Sequence, residues 1–169
     1  RVGSMSDEQL SLENGNAAAV YAAALSSLVG EGRVSYGELT YFGDTRYHIH
    51  GKALMRVLNQ AAEVIFRSRL KMPADVYEGP AMNHSYHEMI IGYGHAFSTV
   101  LLSEKVAHFK KVDYAPHYHF AQWLATQEAL ARRKRAVVGI TIRDLSEHSR
   151  QTVKEFFSEV ARRVGRRRS

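Results

Sequence analysis

The segment Lys52–Leu70 constrains the fold more than any other part of the chain. Leu54, Val57, Leu58, Ala61 and Ile65 recur at helical spacing along it, so one stripe of a long helix is apolar and must bury against a second layer. Arg67, Arg69 and Lys71 fall in its last turn, where positive charge suits the helix dipole, and Pro73 ends it. Gly51 separates this helix from Tyr41–His50, which holds a Gly43-Asp44 turn signal and two histidines, His48 and His50, two residues apart.

Around that helix the pattern predicts a mixture of elements. Asn16 is placed to cap a helix over Ala17–Val29, which Gly30 and Gly32 stop. Arg33–Leu39 is rich in β-branched and aromatic residues and reads as a strand with Gly37 at a bulge. With Thr45–His50 as its partner across Gly43-Asp44, it makes a hairpin. Asp75–Gly79 reads as a loop, and Pro80 opens a helix over Ala81–Ile91. His95–Leu102 is a buried strand, and Ser103 caps a short helix holding Val106 and Phe109. Tyr114–His119 is a loop, Phe120–Arg133 a helix and Ala136–Ile142 a strand. A last helix begins at Asp144 or Ser146 and carries Val153, Phe156, Phe157, Val160 and Val164 on one face. Residues 1–4, ahead of Met5, read as an expression scar. The expectation for 5–169 is a single α+β domain, a small, mostly antiparallel sheet packed against several helices, ending in a basic helix and tail.

A chain of 169 residues can bury a real core. It has no cysteine, which removes disulfides, thiolate metal sites and a cysteine nucleophile. No stretch approaches the roughly eighteen apolar residues of a membrane helix, and no export signal is visible, so the expected address is cytoplasmic, with no membrane partner. The net charge of +6 is unevenly spread: residues 132–169 hold 12 Lys/Arg against 4 Asp/Glu, while residues 1–131 hold 11 against 13. Arg132, Arg133, Lys134 and Arg135 close one helix, and Arg162, Arg163, Arg166, Arg167 and Arg168 close the chain. Arginine pairs bidentately with phosphate, so these nine residues are the candidate contacts for nucleic acid or an acidic protein.

The chemistry-bearing patterns are built from nine histidines. On a strand, His48 and His50 share a face and can hold one divalent cation with a third ligand from elsewhere. His48-Ile49-His50 resembles the metal-binding triplet of the endonucleases that initiate rolling-circle replication and conjugative transfer. That resemblance implies a divalent metal and a nucleophilic tyrosine, for which Tyr36 and Tyr41 lie upstream. No Tyr-x-x-x-Lys follows downstream. His117-Tyr118-His119 repeats the spacing after Pro116. On an unbroken helix His84, His87, Glu88 and His95 would share one sector, a face suited to a metal or haem, but Gly92 and Gly94 interrupt the run before His95. Gly37, Gly43 and Gly51 lie too far apart for a phosphate-binding loop, and Asp44 and Glu38 flank a turn without forming a carboxylate pair.

Two further likenesses stop short of identification. Gly79-Pro80-Ala81-Met82-Asn83 and Val100-Leu101-Leu102-Ser103-Glu104 look like late motifs of class III nucleotide cyclases, but the paired metal-binding aspartates are missing. Arg132–Arg135 with Asp144-Leu145-Ser146 is similar to the signatures of PilZ domains, yet Ser149 stands where a glycine is expected. The leading expectation is therefore an accessory or regulatory protein, not a catalyst, binding nucleic acid or another polyanion through its basic C-terminal quarter, with no cofactor. The alternatives are a metal-dependent phosphodiester nuclease using His48 and His50, and an oligomeric structural or interaction module that uses Phe156 and Phe157.

Overall fold

A computed structural model describes residues 16–79, 85–105 and 117–165. In chain order the elements are α1 (Ala17–Gly30), β1 (Tyr36–Phe42), α2 (Ile49–Ala62), β2 (Ala74–Gly79), α3 (Ser85–Gly92), β3 (Ala96–Ser103), α4 (His117–Arg132), β4 (Ala136–Ile142) and α5 (Glu147–Arg163). The strands form one sheet in the order β2-β1-β3-β4, and every pair is parallel. The expected antiparallel α+β sheet is therefore wrong: this is a Rossmann-like α/β domain.

The hairpin fails for a local reason. After β1 the Asp44 carboxylate accepts the amides of Arg46, Tyr47 and His48 at 2.9, 2.8 and 3.1 Å. With its N–H groups gathered that way, Thr45–His50 cannot run as a strand and instead winds into the start of α2. The partner that β1 needs is β2, whose residues Asp75–Gly79 read as a loop in the sequence. It is an edge strand whose carboxylates are engaged: Tyr36 donates to Asp75 at 2.5 Å, and Thr45 donates to Glu78. Gly37 is not a bulge. It keeps ladder register with Ala74 and Phe97, and a Cβ there would lie 2.4 Å from the ring of Phe66.

The Lys52–Leu70 stripe is helical throughout, though its last part, Glu63–Arg69, is a π-helix. Its wider turn accompanies burial of two successive side chains, Ile65 and Phe66. Lys71, at φ 56°, then turns the chain toward β2. One face of the sheet carries α1, α2 and α5 over the main core, with Leu25, Leu39, Leu54, Leu58, Leu101 and Phe157 inside it. Ala18 and Ala22 are small enough for α1 to approach closely, and Tyr21 meets Phe97, Phe156 and Phe157 edge-on. The opposite face carries α3 and α4 through Ile90, Leu130 and Trp123. β3 is buried along its whole length, as a central parallel strand must be when helices cover both faces.

Of the helix expected over Ala81–Ile91, the part from Ser85 onward is α3, while residues 80–84 and the short helix expected after Ser103 lie outside the described residues. Residues 1–4 and the tail from Arg166 also lie outside them. Among the described residues no helix is long and apolar enough to cross a membrane.

One buried group opposes the rest. Glu38, 1 % exposed on β1, faces α3 and α4; Thr40 donates to its Oε1 at 2.5 Å, while Oε2 has no partner among the described residues. Burial pushes its pKa up, against a smaller lowering by the hydroxyls of Ser98 and Thr40. The folded chain therefore holds a proton that the unfolded chain releases above the ordinary carboxylate range. Stability is fully present below that range and is lost as pH rises toward the folded-state value. Glu38→Gln should flatten this dependence, so that in thermal melts the variant gains on the wild type from pH 4 to pH 8.

Candidate functional site at the carboxyl edge

β1 leads outward to β2 through α2, and β3 leads outward the other way to β4 through α4, so the two helices lie on opposite faces. Their N-termini flank the gap between β1 and β3 at the carboxyl ends of the strands. This is the switch point, where open α/β sheets bind ligands. Each N-terminus carries one of the His-x-His triplets: His48 is the N-cap of α2 with His50 in its first turn, and His117 and His119 open α4.

The loop before α2 is held by two carboxylates. Asp44 gathers the three amides already described. Glu78, at the end of β2, accepts from the Thr45 amide at 2.7 Å and from its hydroxyl at 2.5 Å, and pairs with Arg46 at 3.3 Å. Gly51 is required beside them, because a Cβ at that position would sit 1.9 Å from the Asp44 carbonyl oxygen. The outcome is a rigid crest from which Tyr47 (84 % exposed) and Ile49 (73 % exposed) project into solvent.

The histidine rings of the first triplet lie 5.1 Å apart, not in line on a strand as expected. His50 Nδ1 lies 3.1 Å from Arg150, which donates to it and to the Leu145 carbonyl, tying α5 to α2. His48 Nδ1 is buried and has no partner among the described residues, nor has His119 Nδ1. Burial lowers the pKa of His119, and the nearby Glu78 partly offsets this. Asp144 anchors the start of α5 as Asp44 anchors α2, accepting from the Ser146 amide at 3.0 Å and from the hydroxyls of Ser146 and Ser149 at 2.5 and 2.7 Å. Those bonds hold its carboxyl well below the usual range. Beneath the crest Tyr41 is buried, and burial drives its hydroxyl above its ordinary pKa despite a hydrogen bond with Ser103.

The other expected site residues are dispersed. No group of three or more His, Asp or Glu side chains is arranged to hold a metal among the described residues, so His48 and His50 have no third ligand there. Tyr36 begins β1 at the opposite end of the sheet, bonded to Asp75. Gly92 ends α3, which takes His95 off the face of Glu88, and His84 lies outside the described residues.

The basic runs gather at the amino edge. α4 ends there, and α5 runs back to it, its end packing beside the π-helical segment. Arg132 pairs with Glu128 at 2.5 Å, and Arg162 and Arg163 both pair with Glu159. Arg133 donates to the Ala129 carbonyl, and Arg135 donates to the carbonyls of Ile91 and Gly92, bracing α3. Lys134 sits at φ 56° in the exposed turn before β4. Arg166, Arg167 and Arg168 lie outside the described residues. Sequence reasoning passed over Glu78 and Arg150 as site residues; the signal was present in Gly43-Asp44-Thr45 ahead of an amphipathic helix, a strand-to-helix junction read as a hairpin.

No family model matches the chain, and no curated protein is recognisably similar to it. Among solved structures it is similar to a hypothetical protein from Thermus thermophilus, at 12 % identity and a TM-score of 0.55, over 84 % of this chain and 39 % of that one. The chain thus spans well under half of that protein's length, and the likeness is one of fold.

Gly51→Ala should cost about 1–3 kcal/mol, as forcing a methyl into filled space does. Gly30→Ala, where nothing lies within 4 Å of the added Cβ, should be neutral or slightly stabilising. Urea denaturation of the two variants beside the wild type checks both, and equal midpoints would remove the crest's rigidity.

Proposed function

We propose that the domain binds a phosphate-bearing small molecule in the crevice between β1 and β3. The observation that carries this reading is the pair of His-x-His helix N-termini, one from each face of the sheet, meeting at the switch point. First-turn N–H groups have no intrahelical partner, and the helix dipole places partial positive charge beside them. At α2 the N-cap side chain makes no capping bond, which leaves Ile49, His50 and Gly51 to offer their amides to an oxyanion. His117 and the Nε2 of His50, whose Nδ1 is taken by Arg150, would add ring nitrogens, and Lys52 and Lys105 would add charge near the same edge.

Isothermal titration with pyrophosphate and with a nucleoside diphosphate tests it. Binding is expected for at least one of them, weakened about tenfold or more in the double variant His50→Ala/His117→Ala, as loss of charge-assisted hydrogen bonds implies. No heat with either probe, or unchanged affinity in the variant, overturns the reading.

The gathering of Arg33, Arg69, Lys71, Arg132–Arg135 and Arg162–Arg163 at the opposite edge favours a second reading, a polyanion contact for nucleic acid or an acidic protein. Several of these cations already have carboxylate or carbonyl partners, so Arg69, Lys71 and Lys134 among the described residues, with the Arg166–Arg168 tail, are its main contributors. A chain ending at Arg163 should leave a polyanion column at distinctly lower salt than the full chain. Equal retention would dismiss this second use.

A further inference from the structure

β4 is the outer strand of the sheet, and its sequence Ala-Val-Val-Gly-Ile-Thr-Ile carries no charge and no proline. The other outer strand, β2, is guarded by Asp75 and Glu78 and by Arg67, which donates to the Ala74 carbonyl. Among the described residues no strand pairs with the outer side of β4, and such an edge offers a row of backbone groups to another strand. Beside it runs an apolar trough of about 980 Å3, walled by Val20 and Leu28 of α1 and Phe156 of α5 and floored by Val138 and Ile140. Phe157 is buried in the core, while Phe156 is half-buried and lines this trough.

We infer that β4 is a homodimer seam, in which two copies pair their β4 strands antiparallel about Gly139 and join their sheets into one of eight strands. The strand's own pattern selects a second copy as the occupant. A two-fold axis perpendicular to the sheet keeps each face on its own side, so residues of like parity must oppose each other. Gly139 is the middle of the seven-residue strand, and centring the axis there pairs every residue from Ala136 to Ile142. Val138 then opposes Ile140 of the other copy and Ala136 opposes Ile142, continuing the two apolar floors into each other. On the other face Val137 opposes Thr141. Beyond the ends of the ladder, the turn that holds Lys134 in each copy lies nearest the end of the other copy's β4, which Asp144 follows, so that unlike charges approach at both ends of the seam. Arg135 would oppose Arg143, but its guanidinium is already turned away to the Ile91 and Gly92 carbonyls.

Sedimentation velocity over a concentration series, with hydrogen exchange on residues 136–142, tests the seam. The mass should rise from 19.1 kDa toward twice that value, with β4 amides slowing as it does. Ile140→Lys should weaken the dimer about tenfold or more, since it places a charge in an apolar seam. Lys134→Glu, on an exposed turn where folding is not at stake, should weaken it about three- to tenfold at low salt and not at high salt. A single 19.1 kDa species at all concentrations, with β4 exchange independent of concentration, overturns the inference. So does a dimer that Lys134→Glu leaves unchanged at low salt, which would place the contact, or a strand from another polypeptide, elsewhere.

Discussion

The three amide hydrogen bonds that Asp44 accepts are the constraint on which the architecture depends. They decide that the chain leaving β1 turns into a helix instead of doubling back. Once it does, β1 cannot find an antiparallel neighbour in the next segment. It must wait for α2 to carry the chain the length of the sheet and return it parallel as β2. The same carboxylate sets the crest above β1, and the close packing of that crest excludes a side chain at position 51. Fold and candidate site therefore share one origin, a side chain that competes with the sheet for backbone donors.

Much of the fold was legible where apolar periodicity was strong. Lys52–Leu70, Phe120–Arg133 and the last helix read as helices, and Ala136–Ile142 and His95–Leu102 read as strands close to their observed limits. What misled was polarity in two parallel strands. Ala74–Gly79 contains Asp75 and Glu78, and β1 contains Glu38 and Thr40, so neither shows the continuous apolar run expected of parallel strands. In β2 the carboxylates act as ties to Tyr36, Thr45 and Arg46. In β1 the carboxyl is simply buried. Pair partners of this kind lie 33 or 39 residues away in sequence, beyond the reach of any local pattern. For the same reason His48-Ile49-His50 suggested a metal site: its spacing means one thing on a strand and another at a helix start.

The two ends of the sheet carry the chain's charge in different arrangements. At the amino edge arginines close helices, and most of the described ones answer a carboxylate or a carbonyl. Their excess over nearby acids gives a surface potential more than a shaped site. At the carboxyl edge there is less net charge but more order: two aspartates cap loops, and imidazoles stand at helix N-termini. Recognition of a small anion needs fixed donors at defined distances, whereas attraction of a polymer needs only density of charge. The geometry of each edge would thus suit a different class of anion, and the two proposed readings rest on different residues.

The sheet is also asymmetric from side to side, and this has a physical consequence. β2 ends it with charged side chains and a covering arginine, which discourage pairing with another chain. β4 ends it with β-branched residues, half-buried on one face and, among the described residues, without a strand on its outer side. A strand of that composition left bare risks uncontrolled association. Its sequence cannot be explained by core packing alone, because Val138 and Ile140 are only partly covered by α1 and α5. A residue that gains little from its own core and raises a hazard in solution is best accounted for by a surface that completes it. The central glycine and the apolar pattern that reads alike from either end of β4 make its own copy a fitting complement.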